Sequence, residues 1–195
     1  MIRQNVNICY NIGGDNMIIE IVKVGNLECN CYILEIDNKV LVIDPGDDAD
    51  KIIDFIGDRK VVGIIVTHYH FDHIGALDEL ANKYGVNVYD KNNMHEGYNI
   101  IDKFNFEVIY TPGHKEDAIT IYFNDSKCMF CGDFIFRDSI GRCDLPGGDI
   151  KAMIESISKI KKYDKDTIIY PGHGNTTTLE YEINNNMYFL DISLL

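Results

Sequence analysis

Three imidazoles and a carboxylate, from His68, His70, Asp72 and His73, crowd into the short stretch between Thr67 and Gly75. The chain has only 6 histidines. Neutral imidazole is the commonest metal ligand, and packing has little use for so many polar rings in one place. The stretch follows an apolar run, Val61 to Val66, that reads as a buried strand. The chemistry suggested is metal binding where a strand ends.

Further donors stand at places of the same kind. His114 follows the strand-like Phe106 to Tyr110, Asp133 follows Lys127 to Cys131, and His173 follows Thr167 to Tyr170. A glycine precedes each of them (Gly113, Gly132 and Gly172), which lets backbone pass close to a crowded centre. Together these donors exceed what one tetrahedral zinc can use. They suit two metals bridged by a carboxylate and a water-derived hydroxide. A divalent pair lowers the pKa of bound water, so hydroxide exists near neutral pH. Nitrogen and oxygen donors without cysteine suit zinc, and also iron or manganese. His95 reads as a surface residue.

The elements that must position these side chains follow from periodicity. Ile18 to Val24, Cys29 to Ile36 and Lys39 to Ile43 read as strands, with Asp37-Asn38 as a tight turn. Ala49 to Ile56 reads as a helix with Ile52, Ile53 and Ile56 on one face. A helix from Ala76 to Tyr84 stops at Gly85, and Val86 to Tyr89 is a short strand. Lys91 to Asn105 carries no firm pattern. Phe106 to Tyr110, Ala118 to Phe123 and Lys127 to Cys131 are strands, and Phe134 to Gly148 is loop-like. Asp149 caps a helix that runs to about Lys162 with an apolar stripe of Ile150, Met153, Ile154, Ile157 and Ile160. Thr167 to Tyr170 is a strand and Leu179 to Leu190 a final helix. Strands with interspersed helices in both halves imply two sheets covered by helices.

At 195 residues the chain fits one domain, expected over 17–195, after a polar extension over 1–16 that reads as loose. The formal net charge of −13 disfavours nucleic acid and anionic lipid as partners. No apolar run approaches the ~20 residues of a membrane span, and no signal-peptide core is evident at the start. The expected place is the cytoplasm, with the 6 cysteines mostly reduced. Cys128 and Cys131 form a lone CxxC inside a strand-like run, where residues three apart face opposite sides, so both read as core.

The ordered set His68, His70, Asp72, His73, His114, Asp133 and His173 resembles the metallo-β-lactamase superfamily. The resemblance implies an αββα sandwich, two mixed β-sheets flanked by helices, with the metals at one edge. It implies that His68, His70 and His114 hold one metal, that Asp72, His73 and His173 hold the other, and that Asp133 bridges. Asp72 and Asp133, with a bridging hydroxide, would carry the reaction. Asp44, at the family's first motif, is expected to orient a ligand by accepting a hydrogen bond. The stretch Ser139 to Asp149 is similar to that of short glyoxalase-II-like hydrolases. This implies hydrolysis of a thioester, a small-molecule acyl-thiol, by the hydroxide. Lactone or other ester hydrolysis is the alternative, and a mononuclear-iron persulfide dioxygenase a further one. Arg142 falls where longer relatives place a lysine on glutathione, so it could grip an anionic substrate. The third motif departs from the usual pattern at Lys115, Glu116 and Asp117, which alters the rim of the pocket.

Overall fold

The computed structural model describes residues 6–10 and 16–191 and contains two six-stranded sheets. Across the first sheet the order is β1 (Val6–Tyr10), β2 (Asn16–Val24), β3 (Cys29–Ile36), β4 (Lys39–Ile43), β5 (Lys60–Ile65) and β6 (Val88–Tyr89). Across the second it is β14 (Thr177–Thr178), β13 (Ile168–Pro171), β10 (Cys128–Gly132), β9 (Ile119–Phe123), β8 (Phe104–Tyr110) and β7 (Gly97–Ile101). Both are mixed: β4–β5, β5–β6 and β10–β13 are parallel, and the other pairs antiparallel. A small hairpin, β11 (Ile135–Phe136) with β12 (Ser139–Ile140), lies outside both sheets.

Strand alternation sorts the side chains into layers. In β3, Tyr32, Leu34 and Ile36 join Phe104, Phe106, Ile121 and Phe130 in the core between the sheets. Cys29, Cys31 and Ile33 face the other way and pack with Ile52 and Ile56 of α1 (Ala49–Ile56) and Leu77 and Leu80 of α3 (Leu77–Tyr84). The outer face of the second sheet meets α4 (Ile150–Ile160) through Met153, Ile157 and Ile160. The order helix, sheet, sheet, helix is the expected αββα sandwich. Cys128 lies in the central core and Cys131 in the outer one, so the CxxC spans the sheet and its thiols cannot face each other. Burial pushes the Cys131 thiol up to about 12.

Turn chemistry explains the junctions. Asp37 and Asn38 have φ of 49° and 60°, as a two-residue hairpin turn with right-handed strand twist requires. Gly85 ends α3 with φ of 62°, its N–H on the Ala81 carbonyl. The Asp149 side chain accepts from the N–H groups of Lys151 and Ala152, at 2.7 and 3.1 Å, and so caps α4.

Several elements depart from expectation. Residues 6–10, read as part of a loose extension, form β1 on the edge of β2; the rest of that segment, apart from Asn16, lies outside the described residues. The unassigned stretch holds β7, whose Asn99 opposes Phe106. The loop-like segment holds the β11–β12 hairpin. The final helix is divided into α5 (Leu179–Asn185) and α6 (Met187–Leu190), because Asn186 is extended at φ −73° and ψ 119° and its side chain caps the second piece. No helix among the described residues is long and apolar enough to cross a membrane.

Candidate metal centre

The chain leaves β5 and delivers His68 in the loop that follows and His70 in extended backbone. It then turns into a short helix, α2 (Phe71–Ile74), which carries Asp72 and His73. His68 Nε2 lies 3.1 Å from His70 Nδ1, and His114 Nε2 lies 2.9 Å from the same atom. Three nitrogens converging on one point are the edges of a ligand polyhedron rather than a mutual hydrogen-bond set. Around one tetrahedral zinc, nitrogens stand about 3.3 Å apart. His114 is brought there by the loop after β8. That loop passes so close to α4 that a Cβ on Gly113 would lie 2.6 Å from Met153 Cα.

A second group forms beside the first. His173 Nε2 is 3.1 Å from Asp72 Oδ2, and His73 Nε2 is 3.9 Å from the same oxygen. Asp133 stands between the groups. Its Oδ1 is 3.3 Å from His73 Nε2 and 3.7 Å from His173 Nε2, while its Oδ2 is 3.6 Å from His114 Nε2. A Cβ on Gly172 would meet Asp133 Oδ1 at 2.3 Å and His73 Cε1 at 2.6 Å, so only glycine leaves this space open.

The far side of three of the rings is held by the protein. Asp44 accepts the Thr67 N–H and hydroxyl at 2.7 and 2.6 Å, and its Oδ2 is 3.0 Å from His73 Nδ1. His114 Nδ1 is 2.7 Å from the Arg142 carbonyl, and His173 Nδ1 is 3.0 Å from the Leu27 carbonyl. Carbonyls only accept, so each of these nitrogens carries its proton and turns the lone pair of Nε2 into the site.

Electrostatics follows from this packing. Burial and the neighbouring His73 hold His68 well below the ordinary histidine range. Burial pushes His73 the same way, yet the charges of Asp44 and Asp133 overcome it and hold His73 well above that range. Burial pushes Asp133 upward too, but the facing histidines, His73 foremost, bring it below the usual carboxylate range. His73 Nε2 and Asp133 Oδ1 are both buried without a hydrogen-bond partner. With Nδ1 turned to Asp44, Nε2 presents a lone pair, and two unpartnered buried lone pairs at one point are what a cation would satisfy. Grouping Cys29 with His73 and His173 is also possible by proximity. However, Cys29 Sγ lies 3.7 Å from His73 Nδ1, the nitrogen turned toward Asp44, and burial raises its pKa. The nitrogen and oxygen set is the better metal site.

The sequence profile of the Metallo-beta-lactamase superfamily matches residues 24–90 and 99–173, a span that holds every residue of both groups. The chain belongs to the metallo-beta-lactamase superfamily. It is similar to the hydroxyacylglutathione hydrolase GloC of Haemophilus influenzae, 31% identical over 207 residues, 88% of this chain and 98% of that protein. The crystal structure of BLEG-1 B3 metallo-beta-lactamase aligns with a TM-score of 0.85 at 29% identity, over 89% of this chain and 100% of that one. That of TTHA1623 in a di-iron-bound form aligns with a TM-score of 0.79 at 29% identity, over 86% and 98%. As a metallo-beta-lactamase superfamily member, the chain is a metal-dependent hydrolase.

The structure thus brings together His68, His70, Asp72, His73, His114, Asp133 and His173, with Asp44 behind them. Arg142, the expected grip for an anionic substrate, is exposed. Its guanidinium forms a bidentate pair with Asp144, both contacts 2.7 Å, and its contribution to the centre is the carbonyl under His114. The unusual Asp117 holds the histidine loop, accepting the Tyr69 N–H at 3.2 Å. His95 is exposed. Sequence reading missed Asn30 and Tyr32. Asn30 donates its backbone N–H to the Gly172 carbonyl at 2.7 Å, and its side chain donates to the Pro171 and Gly174 carbonyls at 3.0 and 3.1 Å. The Tyr32 hydroxyl donates to the same Pro171 carbonyl. A polar Asn at an inward position of β3, 1% exposed, was the available signal.

Proposed function

We propose that this chain hydrolyses a thioester of a small acyl-thiol at a binuclear metal centre. His68, His70 and His114 would hold one ion, Asp72, His73 and His173 the other, and Asp133 would contact both. The observation that carries the reading is the divided carboxylate of Asp133, one oxygen toward His73 and His173 and the other toward His114. When bound, two divalent ions would lower the pKa of water and polarise an acyl carbonyl. The set is free of thiolate and suits zinc, iron or manganese alike.

The chain's own residues do the rest. Asp44 fixes the orientation of His73, and the carbonyls of Arg142 and Leu27 fix His114 and His173. Asp133 and Asp72 hold negative charge at the centre; Asp133 does so across the working pH range, because its pKa is depressed. Cys29, whose thiol lies beside His73, is buried with a raised pKa, which speaks against a thiolate nucleophile. Water is the attacking group in this reading. The likeness to GloC over almost its whole length supports a thioester, and a lactone or other ester is the second reading.

The test is metal analysis beside a substrate panel. About two ions per chain with thiol release from S-lactoylglutathione is the expected result. Ring opening of lactones without thiol release would move the reading to the alternative. One iron per chain with oxygen uptake on a persulfide would replace hydrolysis altogether.

A further inference from the structure

We infer that the cleft beside His173 is a carboxylate subsite for the substrate, with Arg137 as its cation; this rests on the proposed acyl hydrolysis. The cleft measures about 440 Å³ and is lined by Phe136, Arg137, Asp138, His173, Gly174 and Asn175. It opens at a candidate ligand, so a substrate filling it would lie against the centre. A Cβ built on Gly174 meets nothing within 4 Å, which marks open space on that wall.

Arg137 is presented by a rigid support. Phe136 pairs with Ser139, so Arg137 and Asp138 form the two-residue tip of the β11–β12 hairpin. The Asp138 N–H is anchored on Glu182 Oε2 at 3.1 Å, and Glu182 is fully buried. The guanidinium carbon sits over the Tyr181 ring, 4.4 Å from its centroid. Its neighbour Asp138 lies 3.8 Å from Nε, beyond hydrogen-bond range. Among the described residues no side chain or carbonyl accepts from its guanidinium. Arg142, by contrast, already has the Nε and Nη2 edge of its guanidinium engaged by Asp144. In a chain of net charge −13 an anionic substrate needs a local cation to reach the centre. Arg137 is the cation in this cleft with donors to give. A bidentate guanidinium selects a carboxylate by shape as well as charge.

The experiment uses the metal-loaded full chain and Arg137→Gln, with Arg137→Lys and Tyr181→Leu beside it. Three thioesters are compared: S-lactoylglutathione, with carboxylates on the thiol side; S-succinyl-N-acetylcysteamine, with one on the acyl side; and neutral S-acetyl-N-acetylcysteamine. Arg137→Gln should raise KM for one anionic thioester about tenfold with kcat held, and leave the neutral one unchanged. The arm affected tells which end of the substrate the cleft takes. Lys should recover part of the loss, and Tyr181→Leu should weaken the same arm. In parallel, calorimetry measures S-methylglutathione against its dimethyl ester, and succinate against succinamide. The charged member should bind better to the wild type, and that preference should vanish in Arg137→Gln. If no thioester is hydrolysed, the reaction reading falls and calorimetry decides the subsite alone. An unchanged preference for charge in Arg137→Gln, in kinetics or binding, would overturn the subsite, leaving Arg137 a tether between hairpin and helix.

Discussion

At the scale of single residues, the proposed centre would give Asp133 an ion to hold and Asp44 a ring, that of His73, to aim. Asp133→Asn keeps the shape but removes the charge facing both groups. Bound metal should fall from about two ions per chain toward one, and turnover by on the order of 10²-fold; near-normal values of both would show that Asp133 bridges nothing. Protonation of His73 gives the metal-free protein a distinctive pH response. Its folded pKa is raised, so its contribution to stability is fully present below the unfolded value near ~6.5 and is lost as pH rises through the folded one. Chelated protein should therefore melt at lower temperature as pH is raised across that window. Metal-loaded protein should gain from the same change, because binding an ion displaces that proton. Melting curves with and without chelator check both directions. The ligand set was legible in sequence because chemistry-bearing residues stood at strand ends, behind glycines. Asn30 was not: its partners, Pro171 and Gly174, lie 141 and 144 residues away, and nothing local marks such a pairing.

Among the elements, β3 acts at a distance on the opposite sheet. Its Asn30 and Tyr32 hold the carbonyls of the turn that presents His173. Asn30→Ala removes both amide donations, leaving the Pro171 carbonyl with Tyr32 alone and the exposed Gly174 carbonyl to water, at a cost of about 1 kcal/mol. The ion at His73 and His173 should weaken by roughly tenfold while that at His68, His70 and His114 keeps its affinity. Stepwise metal titration of the variant separates the two; equal weakening of both would show a general loosening. Gly172→Ala would be harsher, since its methyl lands on Asp133 and His73. Strands rich in Ile, Val and Leu and closed by a turn signal, such as β3 and β4, were legible in the sequence. The short elements were not. α2 has four residues, and β11 and β12 two each, too few for a period to show. They form because flanking loops are already held by the centre and by Glu182.

For the molecule as a whole, stability and chemistry sit at different ends of the first sheet's wiring. Arg59, 7% exposed, joins the carbonyls of Phe55 and Ile56 to Glu20 and Glu35. Arg59→Leu would remove one ion-pair partner from Glu20, which is fully buried, and should cost about 1–3 kcal/mol. Its metal content in the folded state should be unchanged, as denaturant melts and metal analysis would show together. The αββα layering was legible from strand patterns and helix stripes, whereas the way the sheets meet was not, because it depends on contacts such as Ile119 N–H to the Thr67 carbonyl at 2.9 Å. That meeting has a consequence. His68, His70, Asp72 and His73 come from the first sheet, while His114, Asp133 and His173 come from the second. An ion held by both would rivet the two halves of the sandwich along one edge. A newly made chain starved of metal would then be open at that seam, and a protease would find it there before any assay of activity did.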